Sequence, residues 1–193
     1  MKASINILIL CSLLTVNFGL GNSYNMPEEI NPNIFNERIN VKAIDHNLIE
    51  LGVRYLTNVY RERKGKSALN YNANLSDAAY IHSQQMQSFQ FFAHTNKRSE
   101  SLATVDKRAA IAGYESSIAL AENIYFGTID TQTPSSYYEL CNAIVNAFIQ
   151  SKGHRSNMLA ANVEDVGCGI YFEDPLENTY CHFYFTQNFG KQQ

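Results

Sequence analysis

Three polar side chains stand in apolar or tightly patterned surroundings and could together do chemistry. His94 follows two phenylalanines in "FFAHTN", Glu122 interrupts the apolar run "IALAENIYFG", and His154 follows a glycine in "SKGHRSNML". Because a polar group buried alone is costly, each is expected to have a partner. A carboxylate between two imidazoles can orient the rings and leave their free nitrogens facing a shared cavity. Spacing alone is a weak signal here, since no HExxH or paired CxxC motif fixes a local metal site.

Four helices are predicted to position these residues. The first begins at Asp45, carries an apolar stripe at three- and four-residue spacing and ends at Gly65. The second covers "NLSDAAYIHSQQMQSF" and delivers His94 into the loop after it, and the third covers "TVDKRAAIAGY". The fourth begins at a Pro-Ser pair and ends at Gly153, directly before His154.

The C-terminal part reads as two strands, "DVGCGIYFED" and "NTYCHFYFTQNFG", joined by a turn near Pro175. This hairpin would bring Cys168 and Cys181 roughly opposite each other, so a disulfide is one of two outcomes; a one-residue register shift would separate them. Cys141 would then remain a buried thiol on the fourth helix. Helices followed by a hairpin with aromatic residues on both faces predict an α+β fold, a three-layer α-β-α sandwich around an antiparallel sheet.

The first 23 residues read as a secretory signal, because one lysine precedes a short apolar run and small residues follow it. A buried N-terminal helix is the alternative interpretation. Lipid attachment at Cys11, within the run, is a minority reading that would make the protein surface-anchored. Residues 24–44 are a linker or an extension strapped across a domain at 45–193, and the sequence does not decide between the two.

The charge pattern argues against nucleic acid as a partner. The chain carries 15 basic and 18 acidic side chains, and the predicted signal removes only Lys2. Phosphate contact needs a concentrated basic face, and "RERKGK" at 61–66 resembles a solvated helix end instead. No membrane-spanning segment is expected after signal removal.

Five short motifs occur in order across residues 45–190: "FFAHTN", "AENIYFG", "SKGHRSNML", "VGCGIYF" and "YFTQNFG". Together they resemble the CAP superfamily of cysteine-rich secretory proteins, antigen 5 and pathogenesis-related proteins, and most closely its bacterial SCP-like branch. The resemblance implies an α-β-α sandwich with a cleft lined by His94, Glu122 and His154. It also implies that the two histidines hold a divalent metal, commonly zinc, as in several members.

One departure from the family pattern bears on that metal. Many eukaryotic members carry a second cleft glutamate near the end of the helix before the second histidine, where this chain has Gln150 and Ser151. Two histidines completed by water would hold zinc weakly, because stable sites generally use three protein ligands.

These observations favour a secreted or surface-exposed binding module without turnover, whose ligand is an unknown protein or lipid. Two alternatives stay open. One is a metal-assisted hydrolase in which Glu122 acts as general base behind a zinc ion. The other is a purely structural His-Glu-His cluster that only ties loops to the sheet.

Overall fold

The computed structural model describes residues 32–173 and 179–193, and within them a short 3-10 helix, five α-helices and four β-strands. The predicted signal, Cys11 and the turn at Pro175 lie outside these residues. The elements are the 3-10 helix Pro32–Asn36, α1 His46–Arg63, β1 Asn70–Tyr71, α2 Ala73–Ser88, α3 Val105–Ile111, β2 Ser117–Asp130, α4 Tyr137–Gln150, α5 Lys152–Met158, β3 Asp165–Phe172 and β4 Tyr180–Gln192.

Side-chain caps start the three long helices at, or about two residues from, the predicted positions. The side chain of Asp45 accepts a hydrogen bond from the backbone N–H of Leu48 at the start of α1, and Asn72 does the same for α2. At α4 the Ser136 hydroxyl and the Glu139 carboxylate cap each other's backbone N–H groups. These caps satisfy N–H groups that the helices leave unpaired, which explains why the sequence patterns located the helix starts.

The four strands form one sheet in the order β1-β3-β4-β2. The β2–β4 and β3–β4 pairs are antiparallel, whereas β1 pairs parallel with β3 through two residues. The α+β class is confirmed, with a mixed sheet in place of the wholly antiparallel one that the sequence predicts. Since β2 is the last strand of the sheet, its outer edge faces away from β4.

Helices cover both faces of the sheet. Helices α1 and α4 pack on one face over an apolar core that includes Phe148, Ile170 and Phe185. Helices α2 and α3 lie on the other face, where α2 approaches the β3 backbone very closely. At Gly167 an added Cβ would overlap the backbone of Leu75 and Ser76, and at Gly169 that of Ala79 and Tyr80. The two glycines therefore allow the close contact between α2 and β3.

The disulfide between Cys168 and Cys181, one of the two outcomes that the sequence left open, is not formed. Cys168 pairs with Gln187 in the β3–β4 register, six positions along β4 from Cys181, or about 20 Å at roughly 3.3 Å per residue. Both cysteines point to the same face, as the alternation predicts, but the hairpin is centred further along the chain than Pro175. Cys141 is a buried thiol on α4, as expected.

The segment around His154 also differs from its prediction. Helix α4 ends at Gln150, and Ser151 is both its C-cap and the N-cap of α5. Gly153 therefore lies inside the first turn of α5 and does not end the preceding helix. Upstream, Phe35 and Ile39 are buried in the core beside α1 and α4, so this part of the 24–44 segment packs on the domain.

Candidate functional site

Glu122 is the centre of a buried polar cluster on the α2/α3 face of the sheet. It lies in the middle of β2 and is 7% exposed. Its Oε1 accepts a hydrogen bond from His94 Nδ1 at 3.0 Å, and its Oε2 accepts one from an Arg108 terminal nitrogen at 2.6 Å. Burial alone would raise the pKa of Glu122, but the His94 hydrogen bond and the Arg108 charge outweigh it and hold this pKa below its usual value. The carboxylate is therefore ionised at neutral pH.

Arg108 is the member of the cluster that the sequence analysis missed. It is fully buried on α3, and its guanidinium also donates to the carbonyl oxygens of Leu102 at 2.9 Å and His94 at 3.4 Å. In "VDKRAAI" it follows an aspartate and a lysine, so it reads as part of a solvated face. Its position three residues after Val105 and four before Ala112, on the apolar stripe of α3, was the available signal.

His82 also belongs to this cluster, although the sequence did not single it out as a site residue. The ring is fully buried on α2, and its Nε2 donates to the Ala93 carbonyl at 3.1 Å and lies 3.7 Å from Glu122 Oε1. Its Nδ1 has no hydrogen-bond partner within residues 32–173 and 179–193. Burial lowers the pKa of His82 to about 4, so this ring is neutral at physiological pH.

His94 is the solvent-exposed member of the cluster. Its side chain is 55% exposed, while the loop that carries it is held by Arg108 and by the buried Asn96, whose side chain donates to Gln85. The hydrogen bond to Glu122 raises the pKa of His94. With Nδ1 committed to the carboxylate, Nε2 is the ring nitrogen left to face solvent or a ligand.

His154 approaches from the other side of β2, on α5. Its half-buried ring packs edge-on against Phe148 with the ring centroids 5.1 Å apart. Burial, and then the charge of nearby His94, lower the pKa of His154. Two amides hold α5 against β2: Asn123 donates to the His154 carbonyl at 3.2 Å, and Asn157 donates to the Glu122 carbonyl at 3.2 Å. The Asn157 side chain thus ties α5 to the sheet.

This geometry limits what the cluster can do chemically. Both carboxylate oxygens of Glu122 are already hydrogen-bonded, one of them to a permanent cation. Among the residues described, no group of three or more His, Cys, Asp or Glu side chains is placed to hold a metal ion. A metal ion bound by His94 and His154 would therefore lack the third protein ligand that stable zinc sites generally use.

Comparison with known proteins identifies the family. The model of the cysteine-rich secretory protein (CAP) family matches residues 54–189, and the chain belongs to this family. An extracellular SCP-domain protein of Bacillus anthracis strain Ames is similar in structure, with a TM-score of 0.57 at 24% identity over 76% of this chain and 41% of that one. An outer surface protein of Borrelia burgdorferi gives a TM-score of 0.57 at 18% identity, over 73% of this chain and 90% of that one. These likenesses establish the fold.

A relative in sequence is the uncharacterized membrane protein YlbC of Bacillus subtilis strain 168. It is 27% identical over 137 residues, which cover 71% of this chain and 33% of that protein. This chain thus spans about a third of that relative's length. Within the described ranges, no helix is long and apolar enough to cross a membrane.

Proposed function

We propose that this chain is exported and acts at or outside the cell surface as a binding module without catalytic turnover. The extracellular and outer-surface proteins among its structural neighbours support the location, as does the apolar run predicted to be a signal in residues 1–23. The observation that carries the lack of turnover is the state of Glu122. A carboxylate with both oxygens engaged and its pKa held low is a poor general base.

The second candidate function is structural, and Arg108 favours it. One arginine joins Glu122 of β2, the His94 carbonyl and the Leu102 carbonyl, so the cluster connects the sheet to both ends of the 94–102 loop. The metal-assisted hydrolase has less support, because its general base would be the same engaged carboxylate. In either case His94 and His154 line a cleft whose shape the cluster maintains.

Within this proposal, His94 and His154 form a weak site for a divalent metal such as zinc. His94 would offer Nε2, since its Nδ1 is bonded to Glu122, and His154 would offer a nitrogen from the opposite wall. A metal there would supply a positive charge and exchangeable waters at the cleft mouth. Gln150 and Ser151, at the end of α4, add no carboxylate.

A lipid ligand remains a further prediction. A small apolar pocket with a cavity volume of about 10 Å³ lies between the 3-10 helix, α1 and α4, and it is lined by Phe35, Gly52, Tyr55, Leu56, Tyr138 and Cys141. It is far smaller than the roughly 300 Å³ at which ligand pockets usually begin and has room for about one water molecule, so the pocket gives the lipid prediction no support. Extraction of the purified protein followed by mass spectrometry tests this, and the recovery of no lipid would count against it.

The metal proposal is tested by calorimetric titration of Zn²⁺ into the purified chain near neutral pH. We expect binding in the high-micromolar to millimolar range, and its loss in both His94→Ala and His154→Ala. His46→Ala is the matched control, because His46 is also half-buried but lies against Phe172, away from the cleft. Equal binding by all three variants would move the site elsewhere. Submicromolar affinity together with ester or peptide hydrolysis by the zinc-loaded protein would overturn the non-catalytic proposal.

A further inference from the structure

The outer edge of β2 carries backbone groups that pair with no other element among residues 32–173 and 179–193. The Gly190 carbonyl accepts a hydrogen bond from Glu164 and the His182 carbonyl accepts one from Glu173, both on the β3 side of β4. Their β2 partners, Leu120 and Thr128, therefore direct their own backbone groups outward. The same alternation turns the N–H and C=O groups of every even-numbered residue between them away from β4.

Only the first part of this edge is covered. Helix α3 packs near Leu120, and on α5 the Asn157 side chain takes the outward carbonyl of Glu122. Beyond that point, within the described ranges, no hydrogen bond to the outward backbone groups of Ile124, Phe126 and Thr128 occurs. The open stretch spans about 16 Å at roughly 3.3 Å per residue, enough for five residues of an extended chain.

The open edge also lacks the usual protection against strand pairing. Natural edge strands carry lysine, proline or a bulge that blocks the approach of another strand. The stretch 124–130, "IYFGTID", contains no lysine, arginine or proline, and the irregularity of β2 lies at its other end, between Ser117 and Ala119. Phe126 is 42% exposed beside the exposed ring of Phe92, with 6.3 Å between their centroids. This part of the edge is apolar as well as unpaired.

The two segments that flank the covered end of the edge are basic. The loop stretch 94–98, "HTNKR", and α5, "KGHRSNM", contain four lysines or arginines, two histidines and no acidic residue, in a chain whose net charge is −3. The one carboxylate on β2 between them, Glu122, is paired with Arg108. An anionic partner is therefore favoured at this end of the strand. A second copy of β2 would bring only Asp130 as a carboxylate on the same stretch, and that carboxylate already accepts hydrogen bonds from Gln132 and Thr133.

We propose that the 124–128 edge of β2 binds an extended acidic peptide segment of a partner protein by adding it to the sheet as a fifth strand. The peptide backbone would pair with Ile124, Phe126 and Thr128, an apolar side chain would contact Phe92 and Phe126, and carboxylates would face the basic flanks. This inference rests on the proposed function as a binding module and names the class of partner.

The test uses the full chain and a blocked nine-residue peptide that alternates Phe or Val with Asp. We expect the peptide to bind, and a version with Lys in place of Asp to bind roughly tenfold more weakly or not at all. Amide hydrogen exchange followed by NMR should show fast exchange at Ile124, Phe126 and Thr128 in the chain alone. Peptide binding should slow exchange at those three amides and leave Tyr125 and Gly127 unchanged.

Thr128→Pro removes one outward N–H without disturbing the pairing with β4, and it should weaken peptide binding about tenfold. Ile118→Pro is the matched control, because it changes an exposed residue of the same strand at the existing irregularity, outside the open stretch. Thermal unfolding of both variants checks that they fold. Equal weakening by the two variants would overturn the assignment to this edge.

Three results would reject the inference: no binding of the acidic peptide, equal binding of the lysine peptide, or binding that leaves the three amides unprotected. Protection that grows with the concentration of the chain alone would assign the edge to a second copy instead. None of these outcomes touches the proposed function, which the zinc titration and hydrolysis assays test separately. If the acidic peptide does not bind while zinc binding is lost in the His94 and His154 variants, only the inference about the β2 edge is rejected.

Discussion

The two faces of the central sheet are built in different ways. On the α1/α4 face, strand residues such as Ile170, Phe183 and Phe185 pack against helix side chains such as Phe148, and the Gln187–Thr57 hydrogen bond is a polar exception. The α2/α3 face buries several polar groups that make separate hydrogen bonds: Ser76, His82, Ser83, Arg108, Glu122, Thr186 and Asn188. Apolar burial stabilises without requiring exact orientation, whereas buried polar groups hold their partners at defined positions.

The consequence is that the candidate site lies where the polar face meets the edge of the sheet. Glu122 and Arg108 fix the loop that carries His94, and Asn157 fixes the helix that carries His154. The apolar face contributes Phe148, against which the His154 ring packs. The polar face thus holds the elements that carry His94 and His154, and its stability should depend on pairing and pH in ways that the apolar face does not share.

Removing Arg108 should have the largest effect on that frame. Arg108→Met leaves the buried Glu122 carboxylate without its cation, so the free energy of unfolding should fall by about 3–5 kcal/mol. Urea unfolding measures this, with the adjacent exposed Lys107→Met as control. The double variant Arg108→Met, Glu122→Leu should recover part of the loss. A loss below about 1 kcal/mol for the single variant would show that the pair is not the anchor of this face.

Acidification should weaken the polar face through His82. Its folded pKa of about 4 lies below the ordinary 6.5, so the unfolded chain takes up the proton first. The contribution of neutral His82 to the free energy of unfolding is complete above pH 6.5. It is lost as the pH falls towards 4, and the loss is on the order of 3 kcal/mol. Urea unfolding across this range should show a smaller loss in His82→Gln than in the wild type, and equal losses would contradict the assignment. His94 has the opposite pH dependence, because its pKa is raised. Its contribution to the free energy of unfolding is lost as the pH rises above 6.5.

The two faces also differ in how closely a helix approaches the sheet, because α2 packs directly on the β3 backbone. Gly169→Ala places a methyl group against the backbone of Ala79 and Tyr80, which side-chain rotation cannot relieve. We expect a loss of about 1–3 kcal/mol in the free energy of unfolding, measured by urea or thermal unfolding. A neutral result would mean that α2 sits further from the sheet than the structure shows.

Gly153→Ala should have the smallest effect and the opposite sign. The residue lies within α5 and an added Cβ meets no atom within 4 Å, so alanine should stabilise by up to about 0.5–1 kcal/mol. Differential scanning calorimetry on both glycine variants gives a direct contrast. Destabilisation would instead support the sequence-based interpretation, in which this glycine ends α4.

The sequence predicted the parts of the molecule that local patterns encode. Asp45 at a helix start, the apolar stripes of α1 and α2, and the buried position of Glu122 all follow from short-range spacing. The hairpin register did not follow, because residue alternation indicates which face Cys168 and Cys181 share but not their offset along the strands. Membership of the CAP family was predicted from its motifs and is confirmed.

The same limit applies to the candidate site. His94, Glu122 and His154 could be named from the sequence, but Arg108 and His82 enter the cluster through long-range packing of α3 and α2. A charged residue on a short helix, such as Arg108 on α3, is predicted to be solvent-exposed unless its position on the apolar stripe is taken into account. The position of His154 relative to β2 depends on Asn157, whose side chain contacts Glu122 across 35 residues of sequence.

The central claim is that the Glu122 carboxylate is ionised and committed to His94 and Arg108, so that it supports the cleft and does not act as a base. The direct measurement is a ¹³C NMR titration of the Glu122 side-chain carboxyl. We expect a titration midpoint below the ordinary value of 4.5 in the wild type, shifted upward in Arg108→Met. A midpoint above 4.5 in the wild type would contradict the ionised, committed state of Glu122. If the carboxyl also exchanges protons near neutral pH, the hydrolase would be favoured.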